Sequence, residues 1–138
     1  MVTAWDPKVT PDNYQEPQKI NLPMAPGEPD AYASAALQAN TGLIASTRRL
    51  IVGISGINTN GSKRYIMVFD VNVVPAAGSI PRLVQHVAAN EAFDFSGQLG
   101  LRGVEFHNGI YLANSTDPDK LTAGSADTLF HVTYAKIN

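Results

Sequence analysis

From Leu43 onward, short runs of Val, Ile, Leu, Phe and Tyr recur along the chain, each closed by Gly, Asn, Asp, Ser or Pro. Runs of that length with that punctuation predict strands of an all-β sandwich or barrel rather than helices. Eight strands are expected, near 43–46, 49–57, 64–73, 82–88, 92–96, 101–106, 108–114 and 127–136. In the last, Phe130, Val132 and Tyr134 alternate with His131 and Thr133, the signature of a strand with one wet face. The strand that begins at Arg64 differs. Tyr65, Met67, Phe69 and Val71 alternate with Ile66, Val68 and Asp70, so both faces are apolar except at Asp70, which predicts a central position in its sheet. Between 49–57 and 64–73 lies Asn58-Thr59-Asn60-Gly61-Ser62-Lys63, whose Asn-Gly pair readily supplies positive φ and predicts a hairpin. Gly53 and Gly56 interrupt their strand and mark a bulge or a place where another backbone approaches.

The N-terminal third reads differently. Six of the nine prolines fall within the first thirty residues, at positions 7, 11, 17, 23, 26 and 29, so no helix of useful length fits between them. Residues 31–42 (AYASAALQANTG) are alanine-rich and would support one or two helical turns, a length that is marginal in water on its own. The expected organisation is therefore an extended Pro-rich arm over 1–42 and an antiparallel β-sandwich, jelly-roll-like with about eight short strands, over 43–138. Trp5, Val9, Tyr14, Ile20, Leu22 and Met24 are scattered through the arm, where a purely solvated linker has little reason to hold them. These six are the candidate partner-binding residues. A 42-residue segment with flexible-chain dimensions spans roughly 35 Å against a radius of gyration of about 12 Å for the domain, enough to reach a neighbouring subunit.

Composition narrows the function classes. Charged residues are only 16% of the chain, and ten basic against twelve acidic residues leave a formal charge of −2. That balance gives no footprint for nucleic acid or anionic lipid. The chain has no cysteine, which removes disulfides, thiolate metal sites and cysteine nucleophiles. No stretch is apolar enough to cross a membrane as a helix, and Met1 to Tyr14, with Asp6, Lys8 and Asp12, does not read as a signal peptide.

Candidate chemistry is sparse. His86, His107 and His131 stand singly, without the i, i+2 or i, i+4 spacing that aims two rings at one ion. Asp117 and Asp119 lack the remaining ligands, glycine and closing glutamate of an EF-hand loop and read as a solvated turn. Gly53-Ile54-Ser55-Gly56 is not a nucleophile elbow, and the spacing of Gly97, Gly100 and Gly103 does not suit a dinucleotide loop. Asp70, Glu91, Asp94, Glu105 and Asp127 are available as carboxylates, but no spacing selects a pair. The sequons at Asn60 and Asn114 read as accidental. Arg48 and Arg49, adjacent in a strand, would point to opposite faces and leave one for a partner carboxylate or solvent. No catalytic residue, metal or cofactor is expected, and the chain does not read as an enzyme.

In order, the chain contains Leu50-Ile51-Val52-Gly53-Ile54-Ser55-Gly56-Ile57-Asn58, then Arg64-Tyr65-Ile66-Met67-Val68-Phe69-Asp70 and Pro75-Ala76-Ala77-Gly78-Ser79-Ile80-Pro81. Phe93-Asp94-Phe95, Gly109-Ile110-Tyr111-Leu112-Ala113-Asn114-Ser115 and Ala126-Asp127-Thr128-Leu129-Phe130-His131-Val132-Thr133-Tyr134 follow. This succession, over residues 43–136, resembles small structural proteins of tailed-bacteriophage virions, departing from them at Arg64, where a glutamine is usual, and in its long proline-rich start. The resemblance implies a β-sandwich that serves in assembly: a capsid decoration, or cement, protein on the capsid surface, assembled in the host bacterial cytoplasm. The implied partners are the major capsid protein and further copies of the chain, as a homotrimer, with neither nucleic acid nor membrane. A tail or head-fibre component with a carbohydrate- or receptor-binding sandwich is the alternative.

Overall fold

The computed structural model describes residues 29–137. Nine strands and one short helix follow in chain order: β1 (Asp30–Ala33), β2 (Asn40–Ala45), β3 (Arg49–Asn58), β4 (Arg64–Phe69), β5 (Leu83–Val87), β6 (Ala92–Asp94), α1 (Ser96–Leu99), β7 (Val104–Phe106), β8 (Ile110–Ser115) and β9 (Thr128–Lys136). They form two antiparallel sheets. One has the order β1-β9-β3, with β6 and β7 both paired to the far side of β3, and the other has the order β2-β8-β4-β5. Because β6 meets Ser55–Ile57 and β7 meets Arg49–Ile51, these two occupy successive stretches of one edge and act as a single interrupted strand. With that pair counted once, the protein is an eight-stranded sandwich with jelly-roll connectivity. The expected fold class is what the chain adopts.

The inner faces of both sheets supply the main core. Ile51, Ile54, Phe93, Phe106, Phe130 and Val132 from one sheet meet Ile66, Val68, Val87, Ile110 and Leu112 from the other, with Phe95 and Leu99 of the α1 region filling the side. The alternation in β9 matches the sequence: Phe130 and Val132 are buried, whereas Leu129 and His131 face outward. Strand β4 lies between β8 and β5, the central position its two apolar faces predict.

The glycines of β3 have the two roles anticipated for them. The β3–β9 register shifts between Ile51 and Gly53, which makes Val52 a bulge. At Gly56, a β-carbon would run into the Leu129 carbonyl and the Phe93 ring. Only glycine lets β9 and the Phe93 side chain close on β3 at that point.

Three boundaries depart from the sequence reading. Residues 31–42 are not helical and are part of the sandwich: β1 pairs with β9 and β2 with β8, so both sheets begin before residue 43. The free edges of β9 and β8 offer complete ladders, and that tertiary pairing outweighs the slight helical bias of an alanine-rich stretch. The crossing between the sheets is pinned at Gln38, whose side-chain oxygen accepts hydrogen bonds from Tyr32 (2.8 Å) and Ser34 (2.6 Å) and whose backbone bridges to Thr128. Second, the strand expected over 92–96 stops at Asp94, because the Asp94 carboxylate accepts the Ser96 N–H at 2.6 Å and starts α1. Third, the strand expected over 101–106 begins only at Val104. Gly103 has a positive φ of 78° and sits against the Ile51 carbonyl, where a side chain would not fit.

Antiparallel register fixes two ends. At the proximal end, Pro29 enters β1, and the segments 46–48, 70–82 and 107–109 connect strands; at the distal end lie 34–39, 59–63, 88–91 and 116–127.

Substitution Gly56→Ala is expected to destabilise the fold by about 1–3 kcal/mol through overpacking against backbone. Gly53→Ala, whose β-carbon would meet only the Thr133 side chain at ordinary contact distance, should be close to neutral. Urea unfolding midpoints of the two variants check the contrast.

Candidate functional site

The proximal end is organised by one carboxylate. Chain reversal after β4 turns Asp70 toward the loop between β7 and β8, where it accepts the backbone N–H groups of Asn108 (2.7 Å), His107 (3.0 Å) and Gly109 (3.4 Å). Arg82 reaches the same carboxylate at 3.3 Å, donates to the Glu105 carbonyl and lies over the Phe106 ring at 4.6 Å. Burial alone would raise the Asp70 pKa, but the three backbone donors and the Arg82 charge together hold it below the ordinary aspartate value. Glu105, beside it, is likewise held low, chiefly by the hydrogen bond from Arg48. The Arg pair thus divides its work: Arg48 takes the carboxylate of Glu105, and Arg49 donates to the Arg48 carbonyl at 2.9 Å.

A second polar cluster is buried at the distal end. Asp127 accepts from Asn60 (2.6 Å) and Asn114 (3.2 Å) and faces the Arg64 guanidinium at 3.6 Å. The Asn114 amide also donates to the Ser125 carbonyl at 2.9 Å and the Thr128 hydroxyl at 2.8 Å. The Arg64 Nε and Asn114 Oδ1 atoms press against the α-carbon of Gly124, where no β-carbon would fit. Arg64, the position at which the chain departs from the pattern it resembles, is therefore buried and answered by a carboxylate 63 residues further on. The cluster ties the β3–β4 turn, β8 and the start of β9 together. Every donor around Asp127 stabilises its charged form, an arrangement suited to holding loops rather than to accepting a proton.

The surfaces of the two sheets contrast. Positions alternating outward on the first sheet include Ala31, Ala33, Gly53, Ser55, Ile57, Leu129, His131 and Thr133, a run of small and neutral groups. On the second sheet the outward side chains Met67, Phe69, Tyr111 and Ala113 are not solvated: with Leu121 and Val71 they form a second apolar cluster. The connection over 70–82 and the loop over 116–127 lie across that face and bond to each other, Gly78 N–H to the Leu121 carbonyl at 2.8 Å and Leu121 N–H to the Ser79 carbonyl at 2.9 Å. The upper side of this cover leaves Val73, Val74 and Ile80 64%, 62% and 73% exposed.

The remaining candidates are dispersed. His86 stacks obliquely on Tyr65 at the β5 edge, His107 lies 3.7 Å from Glu105, and His131 faces outward from β9. Asp94 caps α1, and Glu91 lies in the turn before β6. Asp117 accepts the Asp119 N–H at 2.8 Å in an exposed turn. The sequon residue Asn114 is fully buried. Among the described residues there is no pocket and no group of three metal-ligating side chains. Trp5, Val9, Tyr14, Ile20, Leu22 and Met24 lie outside the described residues. The exposed loop Val73–Ile80 escaped the sequence reading because its valines extend the apolar pattern of β4, and only Pro75 and Pro81 signal that the chain has left the sheet. No family model, curated protein or solved structure matches the chain.

Two outcomes follow from the polar clusters. Because the folded pKa of Asp70 lies below its unfolded value of about 3.9, its contribution is present in full above that value and is lost as pH falls through the folded pKa. Asp70→Asn should therefore cost on the order of 2 kcal/mol at pH 7 and converge on the wild type in acid, as urea titrations at pH 7 and pH 3 would show. Breaking the buried pair with Arg64→Ala should cost about 3 kcal/mol in the same assay, because Asp127 is left without its cation.

Proposed function

We propose that the protein is a structural protein of a tailed-bacteriophage virion, a capsid decoration or cement protein that binds the outer surface of the major capsid protein shell and stabilises the head. It acts as a homotrimer and engages the shell through Trp5, Val9, Tyr14 and the apolar residues that follow them. One observation carries the reading: all eight jelly-roll positions are filled by residues 30–136, so the first 28 residues are not needed to complete either sheet. A domain that closes without its apolar, proline-rich leader leaves that leader available for another molecule. Proline restricts the unbound chain in advance and so lowers the ordering cost of binding.

Stabilisation would work by mass action. A ligand that binds only the assembled shell adds RT ln(1 + [L]/Kd) to the free energy of opening it, about 2.7 kcal/mol when present at 100 times its Kd. The fibre reading has less support, since sugar platforms use exposed aromatic faces. Tyr111 is buried in the second cluster, and Tyr65 and Tyr134 are half-buried.

Deletion of residues 1–28 should leave a folded sandwich with an unchanged circular dichroism spectrum and abolish sedimentation with undecorated heads. Undiminished binding by the folded, truncated protein would refute the role given to the leader.

A further inference from the structure

The exposed apolar residues of the connection between β4 and β5 call for an occupant. From Val71 to Pro81 this segment contains no charged residue. Its backbone is held by the two hydrogen bonds to Leu121, by a turn in which the Ser79 N–H and hydroxyl both donate to the Ala76 carbonyl, and by the second apolar cluster beneath. Val73, Val74 and Ile80 are thus presented on a pinned support rather than on a loose loop, the condition under which burying them costs little ordering entropy. Exposed apolar residues gathered on one uncharged, ordered segment mark an interaction surface.

The position of the surface identifies what can reach it. The carbonyls of Val71 and Ala45 both press against Gly109, so the connection starts beside the end of β2, where Leu43 is also exposed. Strand β2 lies at one edge of its sheet, and β1 at one edge of the other. The chain enters β1 at Asp30, at the same proximal end. Sheets in a sandwich are about 10 Å apart and an extended residue covers about 3.3 Å, so the five residues between Met24 and Asp30 are long enough to pass from one sheet to the other. Residues 20–27, Ile-Asn-Leu-Pro-Met-Ala-Pro-Gly, contain no charge, and Ile20, Leu22 and Met24 alternate so that an extended chain carries all three on one side.

We infer that residues 20–27 of the chain pack against its own Leu43, Val73, Val74 and Ile80, strapping the second sheet on its loop-covered face. Trp5, Val9 and Tyr14 then remain as the part of the leader offered to other molecules. Tethering favours the chain's own segment over any free competitor, because its effective concentration is in the millimolar range for a short link.

Trypsin supplies a test with an internal control, since Lys19-Ile20 borders the strap and Lys8-Val9 lies well outside it. In the full-length protein, cleavage after Lys19 is expected to be slower than cleavage after Lys8 by about tenfold, because proteolysis samples only the undocked population. The double substitution Val73→Asp, Val74→Asp, on exposed side chains that the fold does not use, should raise cleavage after Lys19 to the rate at Lys8 and leave the latter unchanged. Equal rates at the two lysines in the wild type, or protection at Lys19 that survives the double substitution, would overturn the proposal. Protection that disappears on dilution by about a hundredfold would also overturn it, by assigning the surface to a neighbouring copy.

Discussion

The pairing of β3 with β9 is the interaction on which the remaining architecture hangs. It joins Arg49–Asn58 to Thr128–Lys136, the longest ladder in the molecule, and each partner carries another element on its outer side: β1 on β9, and β6 with β7 on β3. Residues from the two extremes of the described chain therefore meet in one sheet. Close approach depends on Gly56, where the β9 backbone and Phe93 occupy the space a side chain would need, while the Val52 bulge adds local twist. Because the contacts are far apart in sequence, loop-closure entropy is lost before most of the core can form, the condition associated with slow folding.

The second constraint is the double apolarity of β4. A strand buried on both faces needs two covers. One is the opposite sheet, through Ile66 and Val68; the other is assembled from connections, through Leu121 and Val71 over Met67 and Phe69. Covering a sheet with loops requires their backbone groups to be satisfied by one another, which the reciprocal bonds of Gly78, Ser79 and Leu121 accomplish. It also fixes the rest of the loop in place, so Val73, Val74 and Ile80 are displayed as a consequence of protecting what lies below.

Local patterns announced themselves in the sequence wherever the periodicity was strong. The two-faced apolarity of β4, the alternation in β9, the Asn-Gly hairpin and the glycine pair in β3 all have their anticipated roles. Legibility failed where the deciding partner was remote. Alanine-rich residues 31–42 carry no strand pattern of their own and become strands because β8 and β9 have free edges. Arg64 and Asp127 read as separate surface charges until the fold buries them together. Asp70, the single polar break in β4, was visible as an exception, yet its role depends on three backbone donors almost forty residues away.

Charge is distributed in a way that bears on what each part can do. Lys8 and Lys19 are the bases, and Asp6, Asp12, Glu16 and Glu28 the acids, of the first 28 residues, so the formal charge of −2 belongs to this leader and the sandwich is balanced. Within the sandwich, Asp70, Asp94, Glu105 and Asp127 accept hydrogen bonds from a loop, a helix start or an arginine. A carboxylate held in its charged form by fixed donors is a poor proton carrier at neutral pH. It is an effective clamp, since each loop it holds keeps its shape when solvent or a partner approaches. The chemistry left for recognition is then apolar and steric: a neutral sheet face of small residues, a pinned loop with three exposed aliphatic side chains, and a leader whose residues 20–27 are uncharged. Surfaces of that kind discriminate by fit rather than by field, which is what repeated packing of protein against protein demands.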